Sequence, residues 1–326
     1  MAVSIEKISG SAYLAFPEMM GILESEIKER KICSESDFAA RKFYGDILYL
    51  PEHEASIIPY FCKTALTDLF ILKFDSITDA VHSLCDIQRN WAPSLYQFFR
   101  RGMLIQDKMP YVNLKVRKFP CIIPQSPIGC YTLLDEHTIL ASAKTTSFLP
   151  AGNIEFEENH DEPPSRAYLK LYEALTLLPL LFPGKKDLLP KSKDRCLDAG
   201  ACPGGWTWVL RKLGSTVVSI DRSELDQKLM SDRFVTFIKH DAFTLKAEEL
   251  GDFDWIFSDV ICYPERLYEW IVSWLNSGKL HRAVCTIKLQ GATDWALIEK
   301  FAALPNARIC HMNYNKHELC LFIVND

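Results

Sequence analysis

Apolar and polar positions divide the chain into two halves with different rhythms. In the second half, short apolar runs at 196–198, 217–220, 234–238, 255–258, 284–288 and 320–324 have the length and β-branched character of buried strands. Stretches of helical period at 205–213, 266–276 and 294–304 separate several of them. Such alternation predicts an α/β domain with a doubly wound, mostly parallel sheet covered by helices on both faces. Just before it, Tyr168, Leu171, Leu175 and Leu178 recur at helical spacing behind Ser165, which the pattern makes an N-cap, and Lys170 falls off that stripe. The first half gives a mixed pattern: a strand over 12–16, a helix over 17–31, apolar runs at 46–50 and 68–74, and strand-like sequence over 121–144. It reads as a smaller α+β domain. Between the halves lies the acidic, proline-closed AGNIEFEENHDEPP, a linker composition. The expected division is therefore 1–150, a linker over 151–164, and a second domain over 165–326.

A chain of 326 residues with 48% apolar and 24% charged positions is long enough for two cores of this kind. No apolar run approaches the roughly 18 to 20 residues that cross a bilayer, and the first residues lack the regions of a signal peptide, so the expected setting is cytoplasmic. Eleven cysteines at irregular spacing, with no CxxC pair, read as reduced and mostly buried. The eight histidines form no HExxH or close His/Cys cluster, and no metal is expected. Net charge is -5, yet Arg89, Arg100, Arg101, Lys108, Lys115, Arg117 and Lys118 face only Asp107 over 89–118, and Lys185, Lys186, Lys191, Lys193 and Arg195 form a second basic run. Either run suits a polyanion or a plain solvated face.

Candidate chemistry collects where the strands of the second half end, as ligand sites do in open α/β sheets. The first strand runs into Asp198-Ala199-Gly200-Ala201-Cys202-Pro203-Gly204-Gly205-Trp206, where glycines permit a tight turn and the next helix opens with free N–H groups. The second strand ends at Asp221, at the usual separation of ~20 residues for a carboxylate that binds ribose hydroxyls, and the third ends at Asp241, an acceptor suited to an adenine amino group. Taken alone, the glycine loop is compatible with a dinucleotide as well. Strand four ends at Asp259 and strand five at Lys288; the last strand opens at Glu318, and Lys170 precedes them all. A lysine in an apolar strand calls for a partner, which Asp259 supplies.

The run from Asp198 to Trp206 resembles the first motif of the FtsJ-like ribose methyltransferases. The order Lys170, Asp259, Lys288, Glu318 resembles the Lys-Asp-Lys-Glu tetrad of RNA ribose 2'-O-methyltransferases, and the 259–264 spacing and the 314–318 segment are most similar to the RlmM-like branch. The resemblance covers about half the chain. It implies a Rossmann-like class I methyltransferase domain and S-adenosylmethionine bound by Gly200, Cys202, Pro203, Gly204, Gly205, Trp206, Asp221, Asp241 and Asp259. It further implies methyl transfer to a ribose 2'-hydroxyl of ribosomal RNA, a large-subunit cytidine in that branch. Lys288 would be the central group, orienting the hydroxyl or accepting its proton. The first half shows only a loose echo of the THUMP-type domain found there, and is expected to position the RNA. A cap-type messenger RNA methyltransferase, a non-catalytic RNA-binding protein of the same fold and a dinucleotide-dependent oxidoreductase remain as alternatives.

Overall fold

Alternation of side chains along extended segments shapes the first unit. A computed structural model describes residues 3–325, and two compact units divide them. One holds the chain up to Arg117 together with Ile122–Glu155, and the other holds Lys118–Cys121 and the chain from Phe156 onward. In the first, β1 (Ser4–Lys7), β2 (Ser11–Ala15), β3 (Lys42–Tyr44), β4 (Ile47–Leu50), β5 (Cys62–Leu66), β6 (Leu69–Lys73), β7 (Trp91–Pro93), β8 (Gly129–Asp135) and β9 (Thr138–Ser142) form two sheets, ordered β1-β6-β9-β8-β7 and β3-β4-β2-β5. Phe70, Leu72, Tyr131 and Ile139 meet helices α3 (Ile77–Ile87) and α4 (Phe99–Lys108) through Leu84 and Ile105. Their strand neighbours Leu69, Cys130 and Leu140 point the other way, onto Leu14 and Tyr49 of the second sheet. A period of two thus buries both faces of the five-stranded sheet. Helices α1 (Met20–Glu29) and α2 (Glu35–Ala39) complete the unit.

The second unit has seven strands, β10 (Arg195–Ala199), β11 (Thr216–Asp221), β12 (Val235–Lys239), β13 (Trp255–Ser258), β14 (Arg282–Lys288), β15 (Ala307–Cys310) and β16 (Glu318–Val324), in the order β12-β11-β10-β13-β14-β16-β15. Only β16 runs against the rest, antiparallel to both neighbours. Helices α5 (Tyr168–Leu181), α6 (Gly205–Lys212), α7 (Gln227–Met230), α8 (Ala247–Leu250), α9 (Pro264–Asn276) and α10 (Trp295–Ala302) accompany the sheet. All six expected strands are present. The edge strand β15, with only Ala307 fully buried, has too weak an apolar signal to stand out.

Two local expectations change. Ser165 does not cap α5: the helix starts at Tyr168 after a turn in which Leu169 N–H donates to Arg166 O (3.1 Å), and no side chain caps it. Within 151–164, Ile154 and Phe156 are buried, because these two apolar residues interrupt the acidic composition. Phe156 N–H donates to the Tyr314 hydroxyl (2.8 Å), and Phe119, in the short segment that joins this unit, stacks on Tyr172 at 4.0 Å. Among the described residues no helix is long and apolar enough to cross a membrane.

Glu173 of α5, only 1% exposed, accepts from Asn313 N–H (2.8 Å), Asn313 Nδ2 (2.8 Å) and Tyr314 N–H (2.9 Å). These bonds fix the turn that leads into β16. Glu173→Ala strands buried donors, each costing ~1 to 3 kcal/mol; urea unfolding should show a loss of at least ~2 kcal/mol, and an unchanged midpoint would contradict that role.

Candidate active site

The glycine loop after β10 is stitched onto the end of β11. Gly200 N–H donates to Ile220 O (2.8 Å), and Asp221 accepts from Cys202 N–H (3.0 Å) and Ser223 N–H (2.9 Å). Gly200 has φ +78°, and a Cβ there would stand 2.0 Å from Val260 Cγ2, so only glycine lets this loop meet the one after β13. A cavity of about 190 Å³ opens beside that contact, lined by Gly200, Asp221, Asp241, Phe243, Val260 and Arg266, among others. The rest of the motif works differently. Trp206 is buried, its indole N–H donating to Ala167 O (2.9 Å), and a Cβ on Gly205 would lie 2.6 Å from Ser165 Oγ. Both residues hold the start of α5 against α6. Gly204, at φ +113°, faces Leu229, while Pro203 O accepts from Asp226 N–H at 3.0 Å.

Asp198 lies beneath the loop, 1% exposed, accepting from Thr207 Oγ1 at 2.6 Å; Thr207 in turn bonds Ser219 (2.8 Å). Burial pushes its carboxyl up to about 7 against the pull of Thr207. Asp241 shows the opposite balance. Burial alone would raise it, but bonds from Arg266 (2.8 Å) and Arg222 and from Phe243 N–H bring it down to about 2. The two guanidinium groups share Oδ2, leaving Oδ1 toward Phe243. Neither arginine was singled out in the sequence, although Arg222 directly follows Asp221.

Four residues far apart in sequence converge at the same rim. Lys288 Nζ is 2.5 Å from Asp259 Oδ1 and bonds Glu318 Oε2; Lys170 Nζ is 2.5 Å from Glu318 Oε1 and 3.3 Å from Asp259 Oδ2. Pairing explains the core of this ring, since Lys288 and Glu318 are direct cross-strand partners of β14 and β16. Their side chains are 12% and 6% exposed, so the ring is mostly desolvated, and two cations against two carboxylates leave no net charge. Burial works to lower the Lys170 ammonium, but the charges of Asp259 and Glu318 outweigh it and raise the pKa, so Lys170 is a fixed cation. Thr286 Oγ1 donates to Asp259 Oδ1 (2.7 Å). Its signal was available: Thr286 sits two residues before Lys288, on the same face of an apolar strand. Among the described residues no group of three or more His, Cys, Asp or Glu side chains is placed to hold a metal ion.

A doubly wound sheet with one reversed strand next to its edge, a glycine loop after the first strand and this rim of charges define a class I methyltransferase fold. Residues 163–298 match the family described as FtsJ-like methyltransferase. Similar proteins include Ribosomal RNA large subunit methyltransferase M of Xanthomonas axonopodis pv. citri, 31% identical over 230 residues, 70% of this chain and 61% of that protein. The protein of the same name from Stenotrophomonas maltophilia is 37% identical over 134 residues, 41% of this chain and 37% of its own. The alignment with the Xanthomonas protein thus spans less than two thirds of that relative's length. Among solved structures, an rRNA methylase from Streptococcus thermophilus superposes with a TM-score of 0.34 at 16% identity, covering 47% of this chain and 93% of that one.

The raised Asp198 carboxyl has a pH signature. The folded chain keeps to about 7 a proton that the unfolded chain releases near ~3.9. Folding therefore takes up a proton in that window, and the contribution of Asp198 to stability falls as pH rises through it. Asp198→Asn removes the fall. Its urea midpoint relative to wild type should climb between about pH 4 and about pH 7 and level off above that; a constant offset would show that Asp198 is not held in its neutral form.

Proposed function

We propose that the chain is an S-adenosylmethionine-dependent RNA methyltransferase that modifies a ribose 2'-hydroxyl, with large-subunit ribosomal RNA in the cytoplasm as its substrate. The observation behind this reading is the ring of Lys170, Asp259, Lys288 and Glu318 at the rim that also holds the glycine loop. The names of the relatives support the choice of RNA.

The cavity suits the cofactor by its donor set. Gly200 offers backbone without a side chain, Asp221 an acceptor for ribose hydroxyls, and Asp241 one for an amino group at its Oδ1 side. Asp259 lies where a sulfonium would be favoured by negative charge. Cys202 and Pro203 shape the loop, and Gly204, Gly205 and Trp206 hold the α6 start. When bound, S-adenosylmethionine supplies an electrophilic methyl group.

The ring then acts on the hydroxyl. An ammonium has three N–H donors; two on Lys288 are committed to Asp259 and Glu318, and one is left for the substrate oxygen. That arrangement favours Lys288 as the group that orients the 2'-oxygen for in-line attack. Lys170 keeps Asp259 and Glu318 in place and adds fixed positive charge, and Thr286 fixes Asp259 from behind. All of these groups address the sugar, so choice among nucleotides needs another surface. In the first unit, Lys63, Lys115 and Arg117 line a cavity of about 430 Å³ with Asn113 and Asn153, and Arg100 is exposed on α4. Other members of the basic run have partners: Arg101 packs over Phe74, Lys118 lies 3.8 Å from Glu157, Lys108 Nζ donates to Thr78 Oγ1 (3.4 Å), and Arg117 spends one guanidinium N–H on Asn113 O (3.2 Å).

Lys288→Ala should lower turnover on ribosomal RNA by at least ~100-fold, while the thermal shift given by S-adenosylhomocysteine survives. Asp221→Ala should lose that shift. Recovery of a methylated base in place of a 2'-O-methyl ribose would overturn the reading.

Replacing Arg100, Lys115 and Arg117 with alanine should weaken RNA binding and flatten the dependence of log affinity on log salt by ~2 units, since each phosphate contact contributes about 0.7 to 0.9. An unmoved slope in a folded variant would remove this surface from RNA binding.

A further inference from the structure

The loop leaving β13 turns two large side chains into solvent within four residues of Asp259: Ile261 is 83% exposed and Tyr263 68%. Other residues of the loop are engaged. Asp259 belongs to the ring, Val260 packs on Gly200, Cys262 O accepts from Gln290 Nε2 (3.3 Å), and Pro264 opens α9. Tyr263 supports the fold through its backbone alone. Its carbonyl accepts from Arg266 N–H (3.1 Å) and Leu267 N–H (3.4 Å), and its side chain makes no capping bond. At an N-cap, where Ser, Thr, Asp or Asn would bond the helix, the chain holds an aromatic ring in water.

Four segments border the ring of charges: the lead-in to α5, the loops after β13 and β14, and the turn before β16. The other aromatic residues on them are occupied. Tyr168 and Trp295 are buried, and the Tyr314 hydroxyl accepts from Phe156 N–H. Tyr263 is thus the exposed aromatic residue at this rim among the described residues. Its chain neighbour Cys262 is tied through the carbonyl to Gln290, two residues beyond Lys288, which brings the two loops together.

In single-stranded RNA a splayed-out base is held by stacking on an aromatic ring, and such a face also fixes where its own ribose lies. Resting on the ribose-methylation reading above, we propose that Tyr263 is that face: the base of the nucleotide being methylated stacks on its ring while the ribose lies at Lys288. Stacking on an aromatic ring tolerates every base. Tyr263 therefore adds affinity and position, leaving the choice of nucleotide to other contacts.

The test uses the full chain and an in vitro transcript of large-subunit ribosomal RNA. Y263A should lower kcat/KM for the transcript by about 10- to 100-fold, the range for one lost base–aromatic stack, mainly through KM. The S-adenosylhomocysteine thermal shift should stay as in wild type, and Y263F and Y263W should each recover most of the loss. Three results overturn the proposal: Y263A within twofold of wild type, Y263F as impaired as Y263A, which would make the hydroxyl the active part, or loss of the thermal shift in Y263A. A wild-type chain that methylates no RNA sinks the functional reading and this one together. An active wild type with an unaffected Y263A sinks this one alone.

Discussion

Charge balance at the rim of the sheet is the constraint around which the second unit is built. Two ammonium groups and two carboxylates sit there largely out of water, and each offsets the others, because removing one leaves a largely buried charge uncompensated. The ring in turn dictates backbone. Lys288 reaches Glu318 because β16 runs antiparallel to β14 in one particular register, and a shift by a single residue would send Glu318 to the opposite face. Glu173 braces the turn before β16, and Thr286 braces Asp259.

The same economy of charge separates two carboxylates in the neighbourhood of the glycine loop. Asp198 has only hydroxyl and backbone partners and is driven toward its neutral form, whereas Asp241 has two guanidinium partners and is held firmly ionised. Identical side chains near the ends of β10 and β12, on either side of β11, are thereby given different work, one as a structural anchor below the loop and the other as part of the cavity wall.

Much of the second unit was legible in the sequence because strand runs, helical periods and motif spacing agree there. The six apolar runs correspond to β10 to β14 and β16, and the four tetrad positions come together at one rim. What the sequence hid were relations that depend on packing. Ser165 looks like a cap but is instead wedged against Gly205. Gly204, Gly205 and Trp206 also have packing partners, Leu229, Ser165 and Ala167, that the motif does not announce. Phe119 joins the second unit from the middle of a segment that composition assigns to the first, through a ring stack that no local pattern announces. In the first unit the strand expected over 12–16 is β2 and the apolar runs at 46–50 and 68–74 hold β4 and β6, but their division between two sheets joins strands far apart in the chain and has no local signal.

Because β16 is inserted between β14 and β15, its first residue, and not its last, reaches the rim. During synthesis the chain exposes Lys170, Asp259 and Lys288 well before Glu318 leaves the ribosome, and until then the cluster holds two positive charges against one negative. The site cannot exist as a partly finished version of itself. Completion of the sheet and completion of the ring of charges thus coincide, because both wait for β16.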